Sequence, residues 1–124
     1  MFELTINNTV YQFNFGMGFM REANKRVKVP VANLPGVEKN FGLQYMVASI
    51  IDRDLEALVD ALDMANKSFT PRMTRATLDN FIDNEETDID ELFESVMGFL
   101  KNANATKKVT QELLTTIESA KAEK

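Results

Sequence analysis

The first sixteen residues alternate apolar and polar side chains, which is the pattern of strands with one buried face. The loop Asn7-Asn8 tolerates the positive φ angles of a tight hairpin. It fixes a register in which Ile6 pairs with Thr9. Because a two-stranded unit is marginal alone, we expect its apolar face to pack on helices of the same chain. That face consists of Phe2, Leu4, Ile6, Tyr11 and Phe13.

Apolar residues then recur at helical spacing. The spacing predicts a short helix over 17–27 and a longer apolar stripe over 43–62, interrupted near 52–54. The glycines at 16 and 18 lack the third glycine of a dinucleotide-binding motif and are interpreted as a hinge. The best core candidates are Leu43, Met46, Val47, Ile50, Ile51, Leu55, Leu58, Val59 and Leu62.

Two further helices are predicted from capping signals. Thr70 followed by Pro71 resembles an N-cap with a first-turn proline, and predicts a helix through Ile82. Residues 87–90 resemble a capping box and introduce a helix over 89–100. The apolar stripe of this last helix is wider than the roughly 100° needed for one-sided burial, so we expect it to touch two neighbours.

The chain is predicted to form a single α+β domain that is mostly α. A β-hairpin (1–16) packs on a small helical body (17–102), which is interrupted by an irregular loop at 28–42. The loop is too apolar for a solvated linker, so it should pack down or contact a partner. Residues 103–124 form an amphipathic helical tail, which either folds back or becomes ordered against a partner.

Composition limits the chemistry. The 124 residues include no cysteine and no histidine, which removes the commonest base near neutral pH and soft metal ligands. A formal net charge of -5 works against binding to nucleic acid or anionic membranes. No apolar run approaches the roughly 20 residues of a membrane span, and the N-terminus does not resemble a signal peptide. We therefore expect a cytoplasmic protein that is not an enzyme, needs no cofactor and has protein partners.

Two charged clusters have simple structural interpretations. The acidic run at 83–94 matches several positions of a calcium loop, but Asp88 stands where that loop requires glycine. Acidic residues at a helix N-terminus explain the run better. The basic cluster at 21–28 lacks interleaved aromatic residues and is typical of a helix C-terminus rather than a nucleic-acid site.

The order of these segments resembles the family of tail assembly chaperones from siphophages and prophages of Gram-positive bacteria. The resemblance covers about residues 1–100 and is carried by "LTINNTVYQFNFGMGFMREANK" and "DRDLEALVDALDMA". It implies a non-enzymatic protein of the host cytoplasm that binds the tape measure protein, keeps it soluble while the tail tube polymerises, and is absent from the mature virion. It also implies a homo-oligomer, with the tail tube protein and a longer frameshifted form of the chain as further candidate partners.

Apolar side chains on the loop, the wide-striped helix and the tail are the candidates for partner binding or self-association. An alternative function is a small virion structural protein, such as a tail or head completion subunit. A nucleic-acid-binding regulator and a hydrolase using paired carboxylates find less support in the residues. The candidate contact residues are Phe41, Phe99, Val109, Leu113, Ile117 and Ala120.

Overall fold

A computed structural model describes residues 2–122 and, within that range, contains two antiparallel strand pairs and six helices. This confirms the predicted α+β fold dominated by helices, with an N-terminal hairpin. The strands are β1 (Phe2–Ile6), β2 (Thr9–Phe13), β3 (Lys28–Pro30) and β4 (Glu38–Asn40). The helices are α1 (Met17–Asn24), α2 (Gly42–Ile51), α3 (Leu55–Asn66), α4 (Arg75–Asp83), α5 (Ile89–Asn102) and α6 (Lys107–Ala122).

The hairpin has the predicted register, with Phe2 opposite Phe13 and Ile6 opposite Thr9. Asn7 and Asn8 have φ angles of 52° and 65°, as a two-residue turn of this type requires. Ile6 and Phe13 are buried, and the hairpin therefore packs on the helical body as expected.

The predicted apolar stripe over 43–62 forms the centre of the molecule. α2 and α3 pack against each other and against α1, and the break between them lies where the sequence predicts it. Arg53 has a φ of 62°, and the Asp54 carboxylate caps α3 by accepting hydrogen bonds from two backbone N–H groups. α5 contacts both α2 and α6, which confirms that its wide stripe serves two neighbours.

Both predicted capping residues are wrong. α4 begins at Arg75, where the Thr74 hydroxyl accepts a hydrogen bond of 3.1 Å from the N–H of Thr77. Thr70 lies in the preceding loop, because the chain just after it is tied to the end of α3 through the side chain of Asn66. A local pattern contains no information about such a tertiary contact.

At the start of α5 the cap is shifted by one residue. The Asp88 carboxylate, not the Thr87 hydroxyl, accepts the hydrogen bond from the N–H of Glu91, at 3.0 Å. Thr87 instead donates a hydrogen bond to the carbonyl oxygen of Phe81, at 2.7 Å. The acidic run thus lies at a helix N-terminus, as predicted. Its negative charge interacts favourably with the positive end of the helix dipole there.

The prediction of an irregular loop at 28–42 is partly wrong. β3 and β4 pair antiparallel within it, with Val29 opposite Lys39, and we call residues 28–40 the arm. Strands of three residues are too short to show an alternating pattern, so their pairing depends on the turn between them. Leu34 and Val37 in that turn are exposed and do not pack down.

α6 packs along α2 and α5. Its first turns are held by hydroxyl groups: Thr106 donates to the carbonyl oxygen of Leu100 at 2.7 Å, and Thr110 donates to that of Thr106 at 2.9 Å. Both threonines are fully buried. The tail therefore folds back on the helical body.

Candidate protein-contact surfaces

The arm presents apolar side chains to solvent on an ordered turn. Leu34 is 53% exposed and Val37 is 46% exposed. The N–H of Val31 donates to the carbonyl oxygen of Val37 at 2.9 Å, and the N–H of Val37 donates to that of Leu34 at 3.0 Å. These bonds order the backbone of the turn, and Leu34 and Val37 stand on it outside the core.

A close approach between α1 and α2 fixes the base of the arm. Gly42 opens α2 against the end of α1, and a Cβ atom at this position would overlap the carbonyl oxygen of Ala23. The Asn24 side chain accepts a hydrogen bond of 3.1 Å from the N–H of Leu43. α1 consequently ends at Asn24, three residues before the predicted end at Val27.

Phe41 lies between the arm and α2 and is half-buried. Its N–H donates to the carbonyl oxygen of Val27 at 2.8 Å, and its own carbonyl oxygen accepts from the N–H of Tyr45 at 3.1 Å. The Tyr45 side chain, one turn into α2, is 61% exposed. Tyr45 thus adds exposed apolar area on the first turn of α2.

α6 has an inner and an outer part. Val109 and Leu113 pack against the hydrophobic core, whereas Ile117 is partly exposed outside it and Ala120 is exposed. Leu114, which the sequence reasoning did not select, is also partly exposed. The outer half of the helix is therefore the part available to another molecule.

Phe99 of α5 belongs mainly to the fold. Its ring lies 5.3 Å from that of Phe2 and 6.2 Å from that of Phe15, between centroids. These aromatic pairs fasten the start of β1 to the end of α5. Of the six predicted contact residues, Phe99, Val109 and Leu113 pack against the core, whereas Phe41, Ile117 and Ala120 lie outside it.

A groove runs along β1, between this strand and the helices α4 and α5. Its volume is about 690 Å³. Its walls combine apolar side chains with several carboxylates, and the hairpin contributes residues of β1 and the turn to it. The residues lining the groove are Phe2, Glu3, Leu4, Thr5, Ile6, Asn7, Asn80, Phe81, Asn84, Glu86, Thr87, Asp88, Glu91, Leu92 and Ser95.

Arg26 of the basic cluster at 21–28 takes part in an ion pair, and further pairs lie close to it. Arg26 pairs with Asp60 of α3 at 2.9 Å, and Arg75 at the start of α4 binds the same carboxylate. That partner raises the pKa of the Arg75 guanidinium further. Lys67 pairs with Glu22 at 3.1 Å, and its hydrogen bond and charge hold the pKa of the Glu22 carboxyl below its usual value. These ion pairs therefore join neighbouring elements of the fold.

The acidic run has structural roles as well. Asp88 caps α5, and Glu94 pairs with Arg53 at 2.7 Å. Within residues 2–122, no three acidic side chains lie close enough together to hold a metal ion. No helix in the described part of the chain is long and apolar enough to span a membrane.

The sequence pattern did not single out Asn66, a buried polar side chain that makes four hydrogen bonds. Asn66 is fully buried at the end of α3, where its amide nitrogen donates to the carbonyl oxygens of Gln12 and Pro71, at 3.0 and 3.3 Å. Its amide oxygen accepts from the Met73 N–H and the Arg72 guanidinium. A signal was present, since position 66 continues the buried face of α3 at a spacing of four residues from Leu62.

In a comparison with known proteins, the chain matches one family model. Residues 3–114 match the family model described as phage tail assembly chaperone protein, TAC. The match extends beyond the resemblance noted over residues 1–100 and includes the first half of α6. No curated protein and no solved structure matches the chain significantly.

Proposed function

Because the chain belongs to the phage tail assembly chaperone family, we propose that it binds the tape measure protein and keeps it soluble until the tail tube has polymerised. The family match over residues 3–114 is the observation that carries this proposal. A tape measure protein is a long helical polypeptide, and its apolar stripes are exposed before the tube encloses them. A protein that covers such stripes needs apolar contact surface rather than a catalytic centre.

The arm, Tyr45 at the start of α2 and the outer half of α6 are the proposed contact surfaces. Leu34, Val37 and Tyr45 are exposed although the core beneath them is closed by other side chains. Ile117 adds apolar area on α6. Each of these surfaces is small, and several weak contacts to one long client add up when copies of the chaperone bind side by side.

We propose that copies of the chain also associate with one another, using the exposed end of α6. The longer frameshifted form and the tail tube protein remain candidate partners on the same grounds of family membership. Light scattering coupled to gel filtration measures the oligomer directly. Ile117→Asp is expected to reduce its size, since a buried charge in an apolar interface is unfavourable.

The chaperone is proposed to act in the host cytoplasm and to leave before the particle is complete. Mass spectrometry of purified virions tests this against the alternative of a tail or head completion subunit. A chaperone is expected to be abundant in the infected cell and absent from particles. Recovery of the chain at a fixed ratio to the tail tube protein would favour the structural subunit instead.

Co-expression with the tape measure protein tests binding. The structure offers a matched pair of substitutions, since Val37 on the arm and Val10 on the hairpin are 46% and 47% exposed. Val37→Asp and Val10→Asp change the same side chain at nearly equal exposure and should leave the fold intact. The client is expected to become insoluble with Val37→Asp and to stay soluble and co-purify with Val10→Asp.

If the client were equally soluble with both variants, the arm would not be part of the contact surface. Failure of the unaltered chain to improve the solubility of the tape measure protein would contradict the proposed function itself. Circular dichroism of each purified variant verifies that a loss of binding does not come from unfolding.

A further inference from the structure

The outer edge of β1 carries unpaired backbone groups. In a hairpin with a two-residue turn, the carbonyl of the residue before the turn bonds to the N–H of the residue after it, so Ile6 and Thr9 form a hydrogen-bonded pair. Bonded and non-bonded pairs alternate along antiparallel strands. The N–H and carbonyl groups of Glu3 and Thr5 therefore point away from β2. In the described range 2–122, no protein group bonds to them.

The outer edge of β2 differs, because α3 closes part of it. The N–H of Asn14 donates to the carbonyl oxygen of Ala65 at 2.9 Å, and the Asn66 side chain donates to that of Gln12 at 3.0 Å. The fold thus covers one edge of the hairpin and leaves the other as a template for an added strand.

The open edge faces a groove of suitable form. The groove of about 690 Å³ is bounded on one side by β1 and on the other by α4 and α5. Leu4, Phe81 and Leu92 give it apolar surface. An extended segment pairing with β1 would direct every second side chain toward these residues and the alternate ones outward.

Charge indicates what kind of segment fits. Four carboxylates line the groove, and none of its lining residues, all within the described part of the chain, is basic. A second copy of β1 would bring Glu3 and its neighbours against an equally acidic rim, which like-charge repulsion disfavours. A strand carrying lysine or arginine at alternate positions is complementary. The four carboxylates belong to Glu3, Glu86, Asp88 and Glu91.

We propose that the β1 edge binds an extended segment of another polypeptide, with alternating apolar and Lys/Arg residues, as a third strand of the hairpin sheet. This goes beyond the proposed function, which concerns the apolar stripes of a helical client. The two modes use different surfaces, since the groove contains no residue of the arm or of α6.

The test uses the full chain and a seven-residue peptide of alternating valine and lysine with blocked ends. Thr5→Pro removes an outward N–H from the β1 edge, and Val10→Pro removes the outward N–H of its cross-strand partner on the β2 edge. Calorimetry and amide NMR shifts are the readouts. Thr5→Pro is expected to weaken binding at least about tenfold, whereas Val10→Pro changes it less than about twofold.

Charge reversal provides a second test that leaves the strand backbone unaltered. Glu86→Lys combined with Glu91→Lys changes two exposed side chains of the rim and should weaken binding of the valine–lysine peptide while the fold persists. The same peptide with glutamate in place of lysine is expected not to bind the unaltered chain.

Three outcomes would overturn the proposal. The first is no binding of the valine–lysine peptide, and the second is an equal loss with both proline variants. The third is a dimer of the unaltered chain that Thr5→Pro abolishes, which would assign the edge to a second copy. None of these results depends on tape measure binding, which is measured separately with the arm variants.

Discussion

A single buried amide connects three parts of the fold. The Asn66 side chain joins β2, the end of α3 and the segment before α4 through four hydrogen bonds. An unpaired polar group inside a protein is strongly unfavourable, so such a residue stabilises one arrangement of its neighbours against others. Asn66 thereby helps to set the position of the hairpin on α3.

Replacement of this amide by a side chain of similar volume tests its role. Asn66→Leu leaves two carbonyl oxygens and one N–H without partners, and we expect it to lower the free energy of unfolding by about 2–4 kcal/mol. Asn80→Leu changes an exposed asparagine of α4 and should alter stability by less than about 0.5 kcal/mol. Urea denaturation measures both. Equal, small effects would show that the hydrogen bonds contribute little.

A glycine supports the junction between α1 and α2. Gly42→Ala places a methyl group against the backbone of Ala23, so the helices must separate, and we expect a loss of about 3 kcal/mol. Gly98→Ala, within α5, meets no atom nearby and should stabilise the protein by up to about 1 kcal/mol through helix propensity. Thermal melting distinguishes the two. A destabilised Gly98→Ala would contradict the open space seen beside it.

At the scale of elements, the helices are fastened by charge as well as by apolar contact. The turn after α1 is joined to α3 through Arg26 and Asp60, and α1 itself is joined to the residue after α3 through Glu22 and Lys67. Most of these side chains are partly exposed, so each pair contributes modestly to stability. For the Glu22 pair this contribution depends on pH, because protonation removes the negative charge that attracts Lys67.

The ion pair between Glu22 and Lys67 predicts how stability changes with pH, because the Glu22 carboxyl is the group that titrates. Its pKa in the folded protein is lowered because Lys67 bonds to the ionised form, so its stabilisation is complete above the unfolded pKa and disappears as pH falls through the folded value. Glu22→Gln should therefore destabilise the chain at neutral pH, and the difference from the unaltered protein should vanish at acidic pH. Urea denaturation across this range measures it.

Lys67→Gln provides the matched control, because it removes the partner and leaves the carboxylate. It is expected to destabilise at neutral pH and to lose its effect over the same acidic range. A pH-independent difference for either variant would show that the effect comes from packing rather than from the ion pair.

At the scale of the whole molecule, the hydrophobic core is complete without the exposed apolar residues of the arm. α2 and α3 contain many of the fully buried side chains, whereas the arm is held by its own backbone bonds and by the base at Gly42. The arm is thus a separate structural unit on a stable body. Under the proposed function, the arm can adjust locally to the tape measure protein while the body stays folded.

Hydrogen exchange tests the division. Amides of the arm should exchange at least roughly 100-fold faster than those of α3, because they open locally without unfolding the core. Mass spectrometry after pulse labelling resolves the two segments. Equal protection would show that arm and core open together. Addition of the tape measure protein is expected to slow exchange in the arm and to leave α3 unchanged.

The sequence by itself determined much of this protein: the hairpin and its register, the helical body, and the break between α2 and α3. Each depends on neighbours within a few residues, such as the Asn7-Asn8 turn or the Asp54 cap. The same local order, read as a resemblance, was also sufficient to identify the family.

Only the tertiary structure decided which apolar residues are free. Leu113 and Ile117 are equivalent in the sequence pattern, yet Leu113 packs on the core and Ile117 does not, because only the first part of α6 lies against buried partners. The Asn66 contacts, the true start of α4 and the open edge of β1 likewise depend on groups brought together from distant positions. Local patterns cannot determine such contacts, since they arise only when the elements pack.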